Sequence, residues 1–167
     1  TDRIVPDCIR AWSANETVIV RSPRSIRPWQ HVLEPLSGYL WLGARMWQHG
    51  DDLDGEAFNF GPNGQQDMTV AGLVELAAGW WPCADWQKGT GDEPESREAA
   101  LLRLSCEKAR QGLDWSAVMP LALTIELTIL WYRAWHEGET DLCSLSADQI
   151  EQYTAHARSV GMAWTSA

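Results

Sequence analysis

The sequence predicts an α/β fold of mixed helices and short strands, and three observations carry that reading. Short runs, β-branched at 17–22, aromatic at 56–64 and leucine-rich at 99–105, read as strands. Longer runs with apolar residues at helical spacing lie between them. Pro and Gly punctuate the joints rather than the interiors. Four short extended runs and six helices make the class α/β or α+β. No internal repeat or linker divides the 167 residues, enough for one domain with a real core, so the chain reads as a single lobe over 1–167.

Residues 3–14, RIVPDCIRAWSA, place Ile4, Val5, Cys8, Ile9 and Trp12 on one stripe, with Pro6 in the tolerated first turn. TVIVRS, 17–22, reads as a strand. A junction, SIRPWQH, then feeds a helix over 33–48 carrying Leu36, Tyr39, Leu40, Leu42, Gly43 and Met46 at helical spacing. GDDLDG, 50–55, reads as a turn, and EAFNFGPNG, 56–64, as a strand stopped by Gly-Pro-Asn-Gly. Thr69 is positioned to cap the helix VAGLVELAAGWW. Residues 82–88 read as extended and AALLRLS, 99–105, as a strand. CEKARQGL, 106–113, is a short helix. A long helix over 120–137 opens on Pro120 and closes on Gly138. The last helix spans 146–160, with Ser146 as its expected cap.

Composition excludes several functions. The net charge is -10 with no basic stripe, which argues against a nucleic-acid partner. The acidic run KGTGDEPESRE, 88–98, reads as a solvated loop. No apolar run reaches about twenty residues, so no membrane span and no signal peptide are read. Cys8, Cys83, Cys106 and Cys143 form no CxxC pair and lack zinc spacing; reduced thiols in a cytoplasmic protein are the expectation. Eleven tryptophans suit a core, a ring platform or an interface equally.

The usual catalytic motifs are missing from these residues. There is no GxGxxG, no GxxxxGK[ST], no GxSxG and no HExxH. His31, His49, His136 and His156 are scattered, and no tyrosine precedes a lysine by four positions. No catalytic residue, cofactor-binding residue or metal ligand is therefore assigned. What stands out is an arginine set at element ends: Arg3, Arg21, Arg24, Arg27 and Arg97. The planar guanidinium fork matches phosphate, so such a set suggests an anion site. The plainer alternative is that each arginine pairs with one of 23 carboxylates. Trp29 and His31 read as groups that pack or hydrogen-bond at the corner, without proton transfer.

DRIVPDCIRAW, VIVRSPRSIRPWQHVLEPLSGYL, FNFGP, EAALLRLSCEKARQGLDW and WYRAW resemble, in order, the C-terminal half of a sugar-nucleotide enzyme family. It is the extended short-chain dehydrogenase/reductase family of NAD-dependent epimerases and dehydratases, in the branch of 4,6-dehydratases acting on CDP-D-glucose. The resemblance implies a nucleotide-sugar-binding lobe, with the Rossmann core, NAD and the catalytic Tyr-x-x-x-Lys lying upstream. It implies a lyase that converts CDP-D-glucose to CDP-4-keto-6-deoxyglucose and water, in deoxysugar and O-antigen supply. The chain alone is then expected to bind no NAD and to be inactive. The stretch 1–48 would include a helix that backs the Rossmann sheet.

Residue by residue, the resemblance matches Arg27 of RPWQH to the arginine that clamps the substrate pyrophosphate and Arg3 of DRIVPD to one facing the CDP moiety. Arg21 of VIVRSP and Arg97 of REAALLRLSC complete the expected substrate-binding set. Two departures matter. Arg97, Ala100 and Leu101 stand where the family commonly carries polar His, His and Tyr, which bears on substrate specificity. Ala122, Leu123, Leu127 and Leu130 widen the apolar face of the long helix, suggesting a homodimer or lobe–lobe contact there. The other readings left open are a non-catalytic binding or scaffold module derived from such an enzyme, and a sister nucleotide-sugar dehydratase or epimerase.

Overall fold

The computed structural model describes residues 3–63, 67–89 and 101–166. Six α-helices and a two-stranded parallel sheet form among them: α1 (Ile4–Ser13), β1 (Val18–Val20), α2 (Leu33–Leu53), α3 (Val70–Ala78), β2 (Trp86–Lys88), α4 (Glu107–Leu113), α5 (Leu121–His136) and α6 (Leu142–Ser159). A 3-10 turn, Ala163–Thr165, follows. The chain divides into two compact units, and each is described by itself.

The first unit comprises residues 1–27, 67–102 and 122–146. Its sheet pairs Val18 with Trp86 and Val20 with Lys88. The short strands are tied off by Asp85, whose carbonyl accepts from the Val18 N–H at 3.0 Å and from the Trp12 indole at 2.9 Å. α1 packs on β1 and α3, burying Cys8, Ile9 and Trp12, as its stripe predicts. Asn15, at φ 56°, ends α1, and the Glu16 N–H reaches back to Ala11 O at 2.8 Å. Gly138, at φ 82°, ends α5 the same way, through Glu139 N–H to Ala134 O at 2.9 Å. Glycine suits this left-handed position because it has no Cβ to clash.

The second unit comprises residues 28–66, 103–121 and 147–167. α2 packs on α4 around a core of Trp41, Phe60, Ala109, Leu113, Trp115 and Ala117. Phe60 lies edge-on to Trp115, with ring centroids 4.9 Å apart. It also lies flat on Gly38, where an added Cβ would come within 2.3 Å of the ring. Only glycine lets α2 and Phe60 approach that closely.

Several sequence expectations are corrected. The turn at 50–55 is displaced, because α2 continues through Leu53 and the chain reverses at Gly55, φ 73°. Of the strand expected over 56–64, residues 56–63 have no regular secondary structure and no strand partner, and residue 64 lies outside the described residues. Phe58 and Phe60 alternate as a strand would, but the backbone bonds go to side chains instead. Gln30 Nε2 donates to Phe60 O at 3.0 Å, and Gly61 N–H donates to Cys106 Sγ at 3.1 Å. Of the strand expected over 99–105, residues 101–105 form only a single bridge, Leu101 to Ile26. Residues 99 and 100 lie outside the described residues. The last helix begins a turn early: Asp141 Oδ1 accepts the Ser144 N–H at 2.9 Å. Ser146, the expected cap, instead sits inside α6 and donates to Leu142 O at 2.8 Å.

Among the residues expected to widen the apolar face of α5, Ala122 is exposed. Leu121, Ile125, Leu127 and Ile129 are buried, and Leu123 and Leu130 are half-buried. The open apolar face lies on α2 instead, where Val32, Leu36, Tyr39, Leu40, Met46 and Trp47 are exposed, Trp47 at 92%.

Candidate functional site

The arginine loop belongs to the first unit and is built from backbone bonds. After β1 the chain turns at Pro23–Arg24, with Ser25 N–H donating to Ser22 O at 3.2 Å. The turn lies across the N-terminus of α3. Pro23 O accepts the Ala71 N–H and Ser25 O accepts the Val70 N–H, both at 2.9 Å, while Thr69 Oγ1 accepts from Gly72 N–H at 3.1 Å. A helix start leaves such donors without internal partners, and here loop carbonyls and the predicted cap satisfy them. Ile26 then bridges Thr69 on one side and Leu101 on the other, and its carbonyl accepts the Leu102 N–H at 3.2 Å. The loop is thereby pinned on both flanks.

Arg21 emerges exposed at the end of β1, and Arg24 is exposed at the turn. Arg27 is half-buried, and its Nη1 donates to Ile26 O at 2.9 Å. Arg3 is exposed immediately before α1. The structure thus sets three of the four expected substrate-binding arginines, Arg3, Arg21 and Arg27, in one unit. Arg97 lies outside the described residues. No group of His, Cys, Asp and Glu suited to a metal ion occurs among the described residues. No helix there is long and apolar enough to cross a membrane.

The segment that follows, from Pro28 into α2, starts the second unit. His31 is buried, and its Nδ1 accepts the N–H of Leu33, the first residue of α2, at 3.3 Å. Burial holds its imidazole below the usual range, favouring the neutral ring that this bond requires. This is the bonding role expected of it. Three residues on stands a group the sequence reading passed over. Glu34, 1% exposed, accepts from the Val118 and Met119 N–H groups at Oε1, at 2.9 and 2.6 Å. Its Oε2 lies 2.9 Å from the Tyr153 hydroxyl. Tyr153 is also 2.9 Å from Ser37 Oγ, which receives the Trp115 indole N–H at 2.9 Å. Burial pushes the Glu34 carboxyl above its ordinary range, against the pull of these bonds and of His156. It also pushes the Tyr153 phenol upward. The signal in the sequence was a carboxylate on the same face as Ser37 and Trp41, at positions i, i+3 and i+7 of α2.

Comparison with known proteins defines the class first. The fold resembles the crystal structure of UDP-N-acetylglucosamine 4-epimerase from Bacillus cereus, with a TM-score of 0.53 and 16% identity, over 80% of this chain and 44% of that one. In sequence, the chain is 39% identical over 153 residues to CDP-glucose 4,6-dehydratase of Salmonella typhimurium (strain LT2). That match covers 91% of this chain and 42% of the relative, so the chain spans less than half the length of the curated protein it matches. In sequence the chain is thus similar to the C-terminal part of a CDP-glucose 4,6-dehydratase, and in fold to part of a nucleotide-sugar epimerase. No protein-family model matches it.

Proposed function

We propose that the chain is the part of a CDP-glucose 4,6-dehydratase that grips the nucleotide sugar. The observation that carries the reading is the 39% identity extending over 91% of the chain. Arg27, Arg3, Arg21 and Arg97 are the groups assigned to the substrate. Their guanidinium forks would hold the pyrophosphate and orient the hexose, work that depends on position rather than on bond breaking. The pinned loop at 22–27 supports this, because a clamp needs a rigid mount. NAD and the acid–base groups belong, in this reading, to the portion of the enzyme the chain does not match. When bound there, NAD supplies the hydride transfer.

The exposed stripe of α2 fits the same reading. Leu40 at 76% and Trp47 at 92% exposure form part of a face that suits burial against that other portion. Self-association through α5 is a weaker expectation than the composition of that helix suggests, since Leu127 is buried. The protein is read as cytoplasmic, without nucleic-acid or membrane partners. A second reading, a non-catalytic module derived from such an enzyme, is favoured by Arg97, Ala100 and Leu101, which replace residues commonly polar in the family, Leu101 being exposed.

The test is the full-length enzyme carrying Arg27→Ala. Removing one charge-assisted phosphate contact costs about 1.5–3 kcal/mol, so KM for CDP-glucose should rise about 10- to 100-fold. An unchanged KM removes Arg27 from the site.

A further inference from the structure

At the start of α3, the N–H groups of Val70, Ala71 and Gly72 have no carbonyl one turn back to bond. Gly72 N–H goes to the Thr69 cap at 3.1 Å. The other two, Val70 and Ala71, donate at 2.9 Å to Ser25 O and Pro23 O. Such amides are what a helix offers to an anion. Here they are spent on two carbonyls of the arginine loop, so α3 acts on an anion at one remove, through the loop it holds. The path from α3 to Arg27 is short. Ser25 O belongs to the peptide that joins Ser25 to Ile26. Ile26 is bridged to Thr69 on one side and to Leu101 on the other. Its carbonyl accepts twice, from Leu102 N–H at 3.2 Å and from Arg27 Nη1 at 2.9 Å, which uses both lone pairs. The half-buried guanidinium thus rests on the peptide next to the one α3 grips. A guanidinium carries five N–H donors, so one bond to the loop fixes its heading without using up the fork.

We propose, resting on the substrate reading above, that Val70 is a positioning residue for the diphosphate of the nucleotide sugar, its backbone amide setting through Ser25 O and Ile26 O where the Arg27 guanidinium stands. The Val70 side chain has no part in this. What matters is the amide, which every residue but proline carries. Proline is also well suited to this place in the helix. The first helical position does not need its own N–H for the helix, and the φ of about −65° that proline imposes fits there. The residue before a proline must be extended, and Thr69 is, at φ −72° and ψ 159°. A proline ring at position 70 therefore leaves α3 standing and puts its Cδ where the hydrogen to Ser25 O now lies. That drives the Ser25 carbonyl, and with it the Ile26 peptide, away from α3. Alanine at the same position trims the side chain and keeps the amide.

Calorimetric titration of the chain with CDP-glucose, for Val70→Pro and Val70→Ala with and without Arg27→Ala, tests it. Val70→Pro should weaken binding about tenfold, and no more than Arg27→Ala does, while the conservative Val70→Ala, with its amide kept, should not. On top of Arg27→Ala, Val70→Pro should add less than about twofold, because the group it positions has gone. A merely structural role would carry over in full. Val70→Pro that binds like Val70→Ala, or whose loss persists in full beside Arg27→Ala, overturns the proposal and leaves the substrate reading standing. No binding by the unaltered chain, or Arg27→Ala that leaves binding unchanged, overturns the substrate reading and the proposal with it. Should Val70→Pro not fold, Thr69→Ala decides, since it unties the same turn. A loss of about fivefold, restored by Thr69→Ser, is expected, and equal binding by the two overturns the proposal.

Discussion

The two units are held by different means. In the first, the arginine loop is fixed by backbone groups: Pro23, Ser25 and Ile26 carbonyls meet the N–H groups of Val70, Ala71 and Leu102. In the second, the entrance to α2 is fixed by side chains, with Glu34, Ser37, Trp115 and Tyr153 in one buried network. A loop tied by its backbone keeps its path when a side chain is replaced. A joint tied by buried side chains does not. Mutations in the second unit should therefore cost stability, and mutations of the arginines should cost binding.

The largest effect belongs to Trp115, 0% exposed, whose ring packs on Phe60 and whose indole serves Ser37. Trp115→Ala should lower unfolding free energy by about 3–5 kcal/mol in denaturant titration. A loss under about 1 kcal/mol would mean that the Phe60–Trp115 core is not what holds this unit. Next comes Tyr153→Phe, which strips the hydroxyl and leaves Glu34 Oε2 without its partner, at about 1–3 kcal/mol. If calorimetry finds it neutral, the network is ornamental and the contrast between the units weakens. Thr69→Ala removes one cap from α3 and should cost about 1 kcal/mol, since Pro23 and Ser25 still cover their donors. The smallest stability change and the sharpest chemical contrast come from thiol labelling. Cys83 and Cys143 are exposed and should react in the native protein. Cys8, buried and pushed up to about 12, should react only on unfolding. Rapid native labelling at Cys8 would show that the first unit opens.

Periodicity made the helices legible. α1 and α5 lie where their stripes and Gly138 put them, and α3 starts at its expected cap but stops at Ala78, short of the expected Gly79, Trp80 and Trp81. The extended runs were not legible. FNF at 58–60 and LLRLS at 101–105 have strand composition, but a strand exists only where a partner backbone is available, and composition does not record that. Ser146 misled for a related reason: a serine in a polar run can cap a helix or bond back within one, and Asp141 five residues earlier took the cap. The arginines were legible in the sequence as a set of cations at element ends. Glu34 was not, because its role depends on Tyr153, 119 positions away in the chain. Of the residues that widen the apolar face of α5, Leu127 is buried, Leu123 and Leu130 are half-buried and Ala122 is exposed, gradations that composition does not record.

The most direct test of the central reading is calorimetric titration of this chain with CDP-glucose and, separately, with NAD. The account predicts heat of binding for CDP-glucose that Arg27→Ala weakens about tenfold or more, and none for NAD. Binding of NAD, or CDP-glucose binding indifferent to Arg27, would contradict it.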